Sequence, residues 1–169
     1  MLNPINAEAV IRDGQVSGVF PDEIHEGVAW WVASCFVVVS QTQSLAVARD
    51  DHPITAEFFR RFCRGAVNAQ HWACAVHDLG LAEERQLLRA MHELGAVPGA
   101  LLTTAEHEEQ RSVTIRLYGS DGRRFSDSTG LGVIREMIAN DHVPIPVNNG
   151  AKGHVEERHY VIARMEATK

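Results

Sequence analysis

Hydrophobic positions along the chain recur first with a helical period and later with the two-residue period of a strand. Ile24, Val28, Trp31 and Cys35 fall at helical spacing, which predicts a helix from Pro21 to about Phe36. Pro21 suits a first helical turn, and Asp22 and Glu23 suit the positive end of the helix. Ser44 to Arg49 reads as a short buried strand. Thr55 is a plausible N-cap for a second helix to about Ala69, whose apolar stripe is Phe58, Phe59, Phe62, Cys63, Ala66 and Val67. His71 to His77 reads as a strand. Leu81 to Leu94 forms a third helix, with Leu87, Leu88, Met91 and Leu94 inward and Glu83, Glu84, Arg85 and Arg89 outward. Gly95 stops it, and Ala100 to Thr103 is again a short strand.

The period then changes. Val113, Ile115 and Leu117 share one face of a strand from Ser112 to Tyr118, with Thr114 and Arg116 on the other. Ser120-Asp121-Gly122-Arg123 is a turn, and a last helix runs from about Gly130 to Asn140. His142 to Gly153, with its prolines and the Asn148-Asn149-Gly150 signal, reads as a loop. Val155 to Met165 reads as one final element whose type the pattern leaves open, helix being one option. Strands alternating with helices call for crossover connections and a sheet covered on both faces. The expected fold class is therefore α/β, a three-layer α/β/α sandwich with a mixed, mostly parallel sheet of about four strands. The expected organisation is one domain over residues 1–142, with residues 143–169 as a loop and C-terminal element packing on it.

Composition narrows the function classes. The 169 residues are 45% hydrophobic and 22% charged, as in an ordinary globular domain, and suffice for one core. The net charge of −6 argues against a nucleic-acid partner, because such proteins present a basic face. No apolar run is long enough to span a bilayer, and the start of the chain lacks a signal-peptide layout, so no membrane partner is expected. Cys35, Cys63 and Cys74 are scattered, form no CxxC and sit among apolar residues, which reads as reduced core thiols of a cytoplasmic protein. In a strand, His71 and His77 share a face while Cys74 points the other way, so these three are not expected to hold zinc.

A series of short motifs follows in a recognisable order. Ile11-Arg12-Asp13 is followed by Pro21-Asp22-Glu23, Ala48-Arg49-Asp50, Asp78-Leu79-Gly80 and Leu94-Gly95-Ala96. Then come Thr104-Ala105-Glu106-His107-Glu108-Glu109 and Arg116-Leu117-Tyr118-Gly119. In order and spacing, from about Ile11 to Asn140, the chain resembles the first domain of the α-D-phosphohexomutases, the phosphoglucomutase/phosphomannomutase family. That family shows a DIRG-type loop, Thr-Pro-Glu, Gly-Arg-Asp, Asp-Leu-Gly, Leu-Gly-Ala, the catalytic Thr-Ala-Ser-His-Asn-Pro loop and Lys-Leu-Tyr-Gly. From Thr104 to Gly119 the register needs no gap.

The departures bear on chemistry. Glu106 stands in place of the phosphoserine, Glu108-Glu109 in place of Asn-Pro, and Ser112-Val113-Thr114 in place of Tyr-Asn-Gly. His52 matches the second arginine after Arg-Asp, and Glu84-Arg85 the Thr-Pro after Asp-Leu-Gly. The family reaction moves a phosphoryl group between an enzyme serine and a hexose phosphate. It needs a hydroxyl, a divalent metal and cationic groups around the transferring oxygens. Glu106 has no hydroxyl. The resemblance implies Glu106 and His107 as the catalytic positions, and Arg12, Arg49 and Arg116 as ligand-binding cations. It implies Mg2+ as the cofactor, for which Glu106 and Glu108 are weak candidates here. The Asp-Gly-Asp-Gly-Asp metal loop belongs to further domains that this chain has no room for. The expected function is a stand-alone, catalytically inactive domain I homologue tied to hexose phosphate metabolism, binding a sugar phosphate and assembling as a homo-oligomer. Two alternatives stand beside it: an intramolecular phosphotransferase completed by partner chains, and a purely structural protein with an inert acidic loop.

Overall fold

A computed structural model describes residues 5–69, 72–144 and 152–167. The sheet is built around β3 (Ser44–Arg49), whose alternate side chains enter different cores: Leu45 and Val47 on one face, Ala46 and Ala48 on the other. A strand buried on both faces must be covered by helices on both sides. On one side lie α1 (Ala7–Val10), α2 (Glu26–Ser40), α3 (Pro53–Val67) and α5 (Leu131–Ala139), around Phe36, Phe58, Phe62, Leu102 and Ile115. On the other lie α4 (Glu84–Glu93) and α6 (His159–Ala167), around Leu79, Leu87, Met91, Tyr118 and Ile162.

The remaining strands are β1 (Ile11–Arg12), β2 (Gln15–Phe20), β4 (Ala75–Leu81), β5 (Gly99–His107), β6 (Gln110–Tyr118) and β7 (His154–Glu157). Their order is β1-β2-β6-β5-β3-β4-β7. The sandwich is as expected, but among the described residues the sheet has seven strands rather than about four. It divides at β5: the β3–β5, β3–β4 and β4–β7 pairs are parallel, while β1–β2, β2–β6 and β5–β6 are antiparallel. The three strands missing from the sequence reading are the short edges and β2. Val16 and Val19 of β2 are separated by polar Ser17 and the bend-prone Gly18, so no clean alternation marks it. Val113, Ile115 and Leu117 do share the face that enters the larger core.

α4 begins at Glu84 rather than Leu81, because Leu81 still belongs to β4 and Glu83 caps the helix, and two other helix starts shift because histidine caps them. α2 begins at Glu26, not Pro21: the Val19 carbonyl accepts from the Glu23 and Ile24 N–H groups, making a separate turn. His25 is the N-cap, its Nδ1 accepting from Gly27 N–H at 3.1 Å. α3 begins at Pro53, with His52 as N-cap. Thr55, expected to cap it, is fully buried on the inner side. Pro53 fits the first helical position because its missing N–H would have no partner there anyway. The segment expected as the strand His71–His77 contributes β4 only from Ala75, and His71 lies outside the described residues. The expected loop from His142 to Gly153 falls largely outside them as well. Val155 to Met165 is not one element: β7 pairs in parallel with β4, and α6 then turns back over the smaller core.

Candidate functional site

The site sits where β3 and β5 end and α3 begins, the carboxyl edge of the parallel half of the sheet. Asp50, one residue past β3, organises it. Its Oδ1 accepts from His52 N–H at 3.1 Å, and its Oδ2 accepts from Thr104 N–H on β5 at 2.8 Å. One carboxylate therefore ties the start of α3 to the neighbouring strand. Asparagine keeps the shape but has a single acceptor oxygen, so one of these N–H groups loses its partner. Asp50→Asn is expected to cost about 1.5 kcal/mol in urea unfolding, and an unchanged midpoint would contradict this bridging role. The Thr104 and Thr55 hydroxyls are hydrogen-bonded to each other, which turns Thr104 toward the helix.

His52 connects this frame to Glu106. The Ile54 N–H donates to His52 Nδ1 at 3.1 Å, so Nδ1 must carry a lone pair. The proton of the neutral ring is then on Nε2, which donates to Glu106 Oε1 at 2.8 Å. The tautomer is set by the helix backbone, and the carboxylate is set by the tautomer. His52 is largely covered, whereas the Glu106 side chain is 64% exposed. Glu106 itself lies in a regular antiparallel hairpin, opposite Arg111, with His107 opposite Gln110. Glu108 and Glu109 form the two-residue tip, Glu108 at φ 57°. Glu106, Glu108, Glu109, Gln110 and Arg111 line a shallow pocket of about 220 Å³.

The cations expected around Glu106 are not gathered there. Arg49 donates to the Asp50 carbonyl at 3.1 Å and lies over the Phe59 ring at 5.4 Å, at the same end of the sheet. Arg116 is five positions along β6 from Arg111, roughly 16 Å at strand rise, and faces the opposite side of the sheet. There it stands 3.9 Å from Glu84, which also accepts from the Tyr118 hydroxyl at 2.8 Å. Arg12 is on β1, at the sheet margin beyond β2, where it lines a separate pocket of about 250 Å³ with Ser17, Glu23 and Ser112. His107 is exposed at the hairpin end, while the partner of Glu106 is His52. The sequence reading registered His52 only as a departure from an arginine. The signal that finds it is Asp50-Asp51-His52-Pro53 directly after a buried strand: an acidic turn residue, then a proline that must open a helix.

Among the described residues, no group of three or more His, Cys, Asp or Glu side chains is arranged to hold a metal ion. Glu106 and Glu108 supply two carboxylates near the hairpin end, the kind of oxygen donor that a hard divalent cation takes together with water. The cysteines are free and buried; burial pushes the Cys35 and Cys74 thiols up to about 12, and Cys63 upward as well. Such thiols are not nucleophiles near neutrality. Among the described residues, no helix is long and apolar enough to cross a membrane.

A mixed sheet between helical layers, with a charged hairpin at the carboxyl edge of its parallel half, makes this an α/β/α sandwich domain. The family model for phosphoglucomutase/phosphomannomutase, alpha/beta/alpha domain I, matches residues 11–143, and the chain belongs to that family. Among solved structures, a phosphoglucomutase/phosphomannomutase family protein from Burkholderia thailandensis superposes with a TM-score of 0.72 at 14% identity, over 96% of this chain and 35% of that one. A protein assigned as a phosphomannomutase from Thermus thermophilus gives 0.70 at 20% identity, over 94% and 35%. The chain thus spans about a third of the length of either. No curated protein sequence matches it significantly.

Proposed function

We propose that this chain is a non-catalytic phosphohexomutase domain I that works as a binding or regulatory module in hexose phosphate metabolism. The observation that carries the reading is the residue at the serine position of the resemblance. Glu106 offers a carboxylate, held by His52 Nε2–H, where the family reaction needs an esterifiable oxygen. The nearest hydroxyl along β5, that of Thr104, is occupied by Thr55. An acyl phosphate on Glu106 would require a metal to offset its charge.

In a coupled assay with glucose 1-phosphate and magnesium, the purified chain is expected to show no mutase turnover. Turnover that Glu106→Ala abolishes ends the proposal. Binding is read separately by titration calorimetry with the same sugar phosphate. A full charge about 6 Å from an anionic ligand in water contributes roughly 0.7 kcal/mol of repulsion. Glu106→Gln is accordingly expected to tighten glucose 1-phosphate binding about threefold. Absence of heat from both proteins would rule out hexose phosphate as the ligand.

A further inference from the structure

β7 is the last strand at one margin of the sheet. β7 pairs with β4 on one side, and among the described residues nothing pairs with its other side. The His154 N–H donates to the Cys74 carbonyl at 3.1 Å, and the Arg158 N–H to the Asp78 carbonyl at 2.7 Å. Strand backbones alternate direction, so Glu156 also addresses β4, while Val155 and Glu157 present their N–H and C=O groups outward. Unpaired strand edges of this kind are templates for another strand.

The side chains say which strand fits. Val155 is aligned with Val76 and so lies on the α3 side of the sheet, 48% exposed. His154 and Glu156 lie on the opposite face, aligned with Ala75 and His77. In antiparallel pairing, outward-facing residues must meet outward-facing residues, which permits only registers that differ by two. With the two-fold axis on Val155, each Val155 exchanges both hydrogen bonds with its own copy. His154 then stands opposite Glu156 of the second copy on both sides of the axis. Sliding by two residues sets Glu156 against itself, and sliding by two more sets Glu157 against itself; like charges directly opposite destabilise a pair. The Val155-centred register sets an apolar side chain against its own copy and histidine against a glutamate that its own His154, at 2.7 Å, and Arg158 also hold. Leu81 and Tyr160, each 52% exposed, lie at the end of β4 and in the first turn of α6. With Val155 they make three of the four exposed large hydrophobic side chains among the described residues.

We propose that the chain forms a two-fold dimer by antiparallel pairing of β7 with β7 of a second copy, centred on Val155. This is independent of whether Glu106 abolishes catalysis. The test uses a cysteine on the axis. Hydrogen-bonded antiparallel partners have Cα atoms about 5.5 Å apart, within the range a disulfide spans. The three native cysteines are buried and do not compete. Under mild oxidation Val155→Cys is expected to form a disulfide-linked dimer rapidly, while Val133→Cys, equally exposed on α5, does so only slowly. Equal rates for the two overturn the proposal. A second variant, Val155→Pro, removes an outward N–H and leaves the bonds to β4 in place. It is expected to sediment as a folded monomer whose thermal midpoint no longer depends on concentration, where the wild-type chain shows a concentration-dependent dimer. A proline variant that folds and still dimerises, a wild-type chain that stays monomeric up to its solubility limit, or one that associates only with a different protein each refutes it.

Discussion

Phe36→Ala is expected to destabilise the protein by about 4 kcal/mol, the usual range for deleting a fully buried aromatic ring. Phe36 is completely covered in the middle of α2 and meets the Phe125 ring edge-to-face, with centroids 5.1 Å apart and planes at 81°. Both transfer and cavity contributions act here. The ring sits between a helix and a segment that follows the sheet, and neither can close onto the void without giving up contacts elsewhere. Lost edge-to-face geometry adds about 1 kcal/mol. In a chain of this length the thermal midpoint should fall by roughly 10 °C. Calorimetry decides it. A fall of only a few degrees would mean that Phe125 swings into the space and that this side of the core is looser than its burial indicates.

Gly65→Ala is expected to be harmful although alanine is the better helix former. Gly65 is inside α3, where propensity alone favours alanine by about 1 kcal/mol. A Cβ there would lie 2.1 Å from the Trp30 carbonyl oxygen and 2.8 Å from the Trp30 Cα, both backbone atoms of α2. A side chain could rotate out of the way, but a helix backbone cannot. Relief requires prising α2 from α3, and overpacking of this kind costs about 3 kcal/mol. The net expectation is a loss of about 2 kcal/mol by chemical denaturation. A stabilised Gly65→Ala would show that the two helices stand farther apart than described. Gly95→Ala makes a useful contrast: no atom lies within 4 Å of its added Cβ, and its cost comes from a φ of 104° instead.

The sequence made the central elements legible because their side chains answer to a single demand. β3 was readable to the residue, since Ser44 to Arg49 is apolar on both faces, and the inward face of β6 followed from strict alternation. The helix stripes were visible, but three of their starts were not. Capping rules look for Ser, Thr, Asp or Asn, and here histidine rings fill that place at His25 and His52 and a glutamate at Glu83. The edge strands were invisible because an edge pairs on one side only and carries little apolar signal, as His154-Val155-Glu156-Glu157 illustrates. At the candidate site, the motif order placed Glu106 and His107 next to each other in sequence. Chain neighbours on a strand point to opposite faces, so the partner of Glu106 had to come from elsewhere, and it came from the start of α3. The same alternation separates Arg116 from Glu106. The local pattern Asp50-Asp51-His52-Pro53 marks the histidine, but its pairing with Glu106 and the separation from Arg116 depend on which strands are adjacent.

The sheet order also constrains how the chain is made. β2 is synthesised well before β6, yet it fits between β1 and β6, and the latter is complete only at Tyr118. Val16 must therefore wait for Ile115, about a hundred residues later, before its backbone finds a lasting neighbour. Until then a nascent chain carries a solitary hairpin with an open side, too small to hold its shape alone. Closure of the antiparallel half is thus a long-range event that waits for β6, and contacts of that separation slow folding.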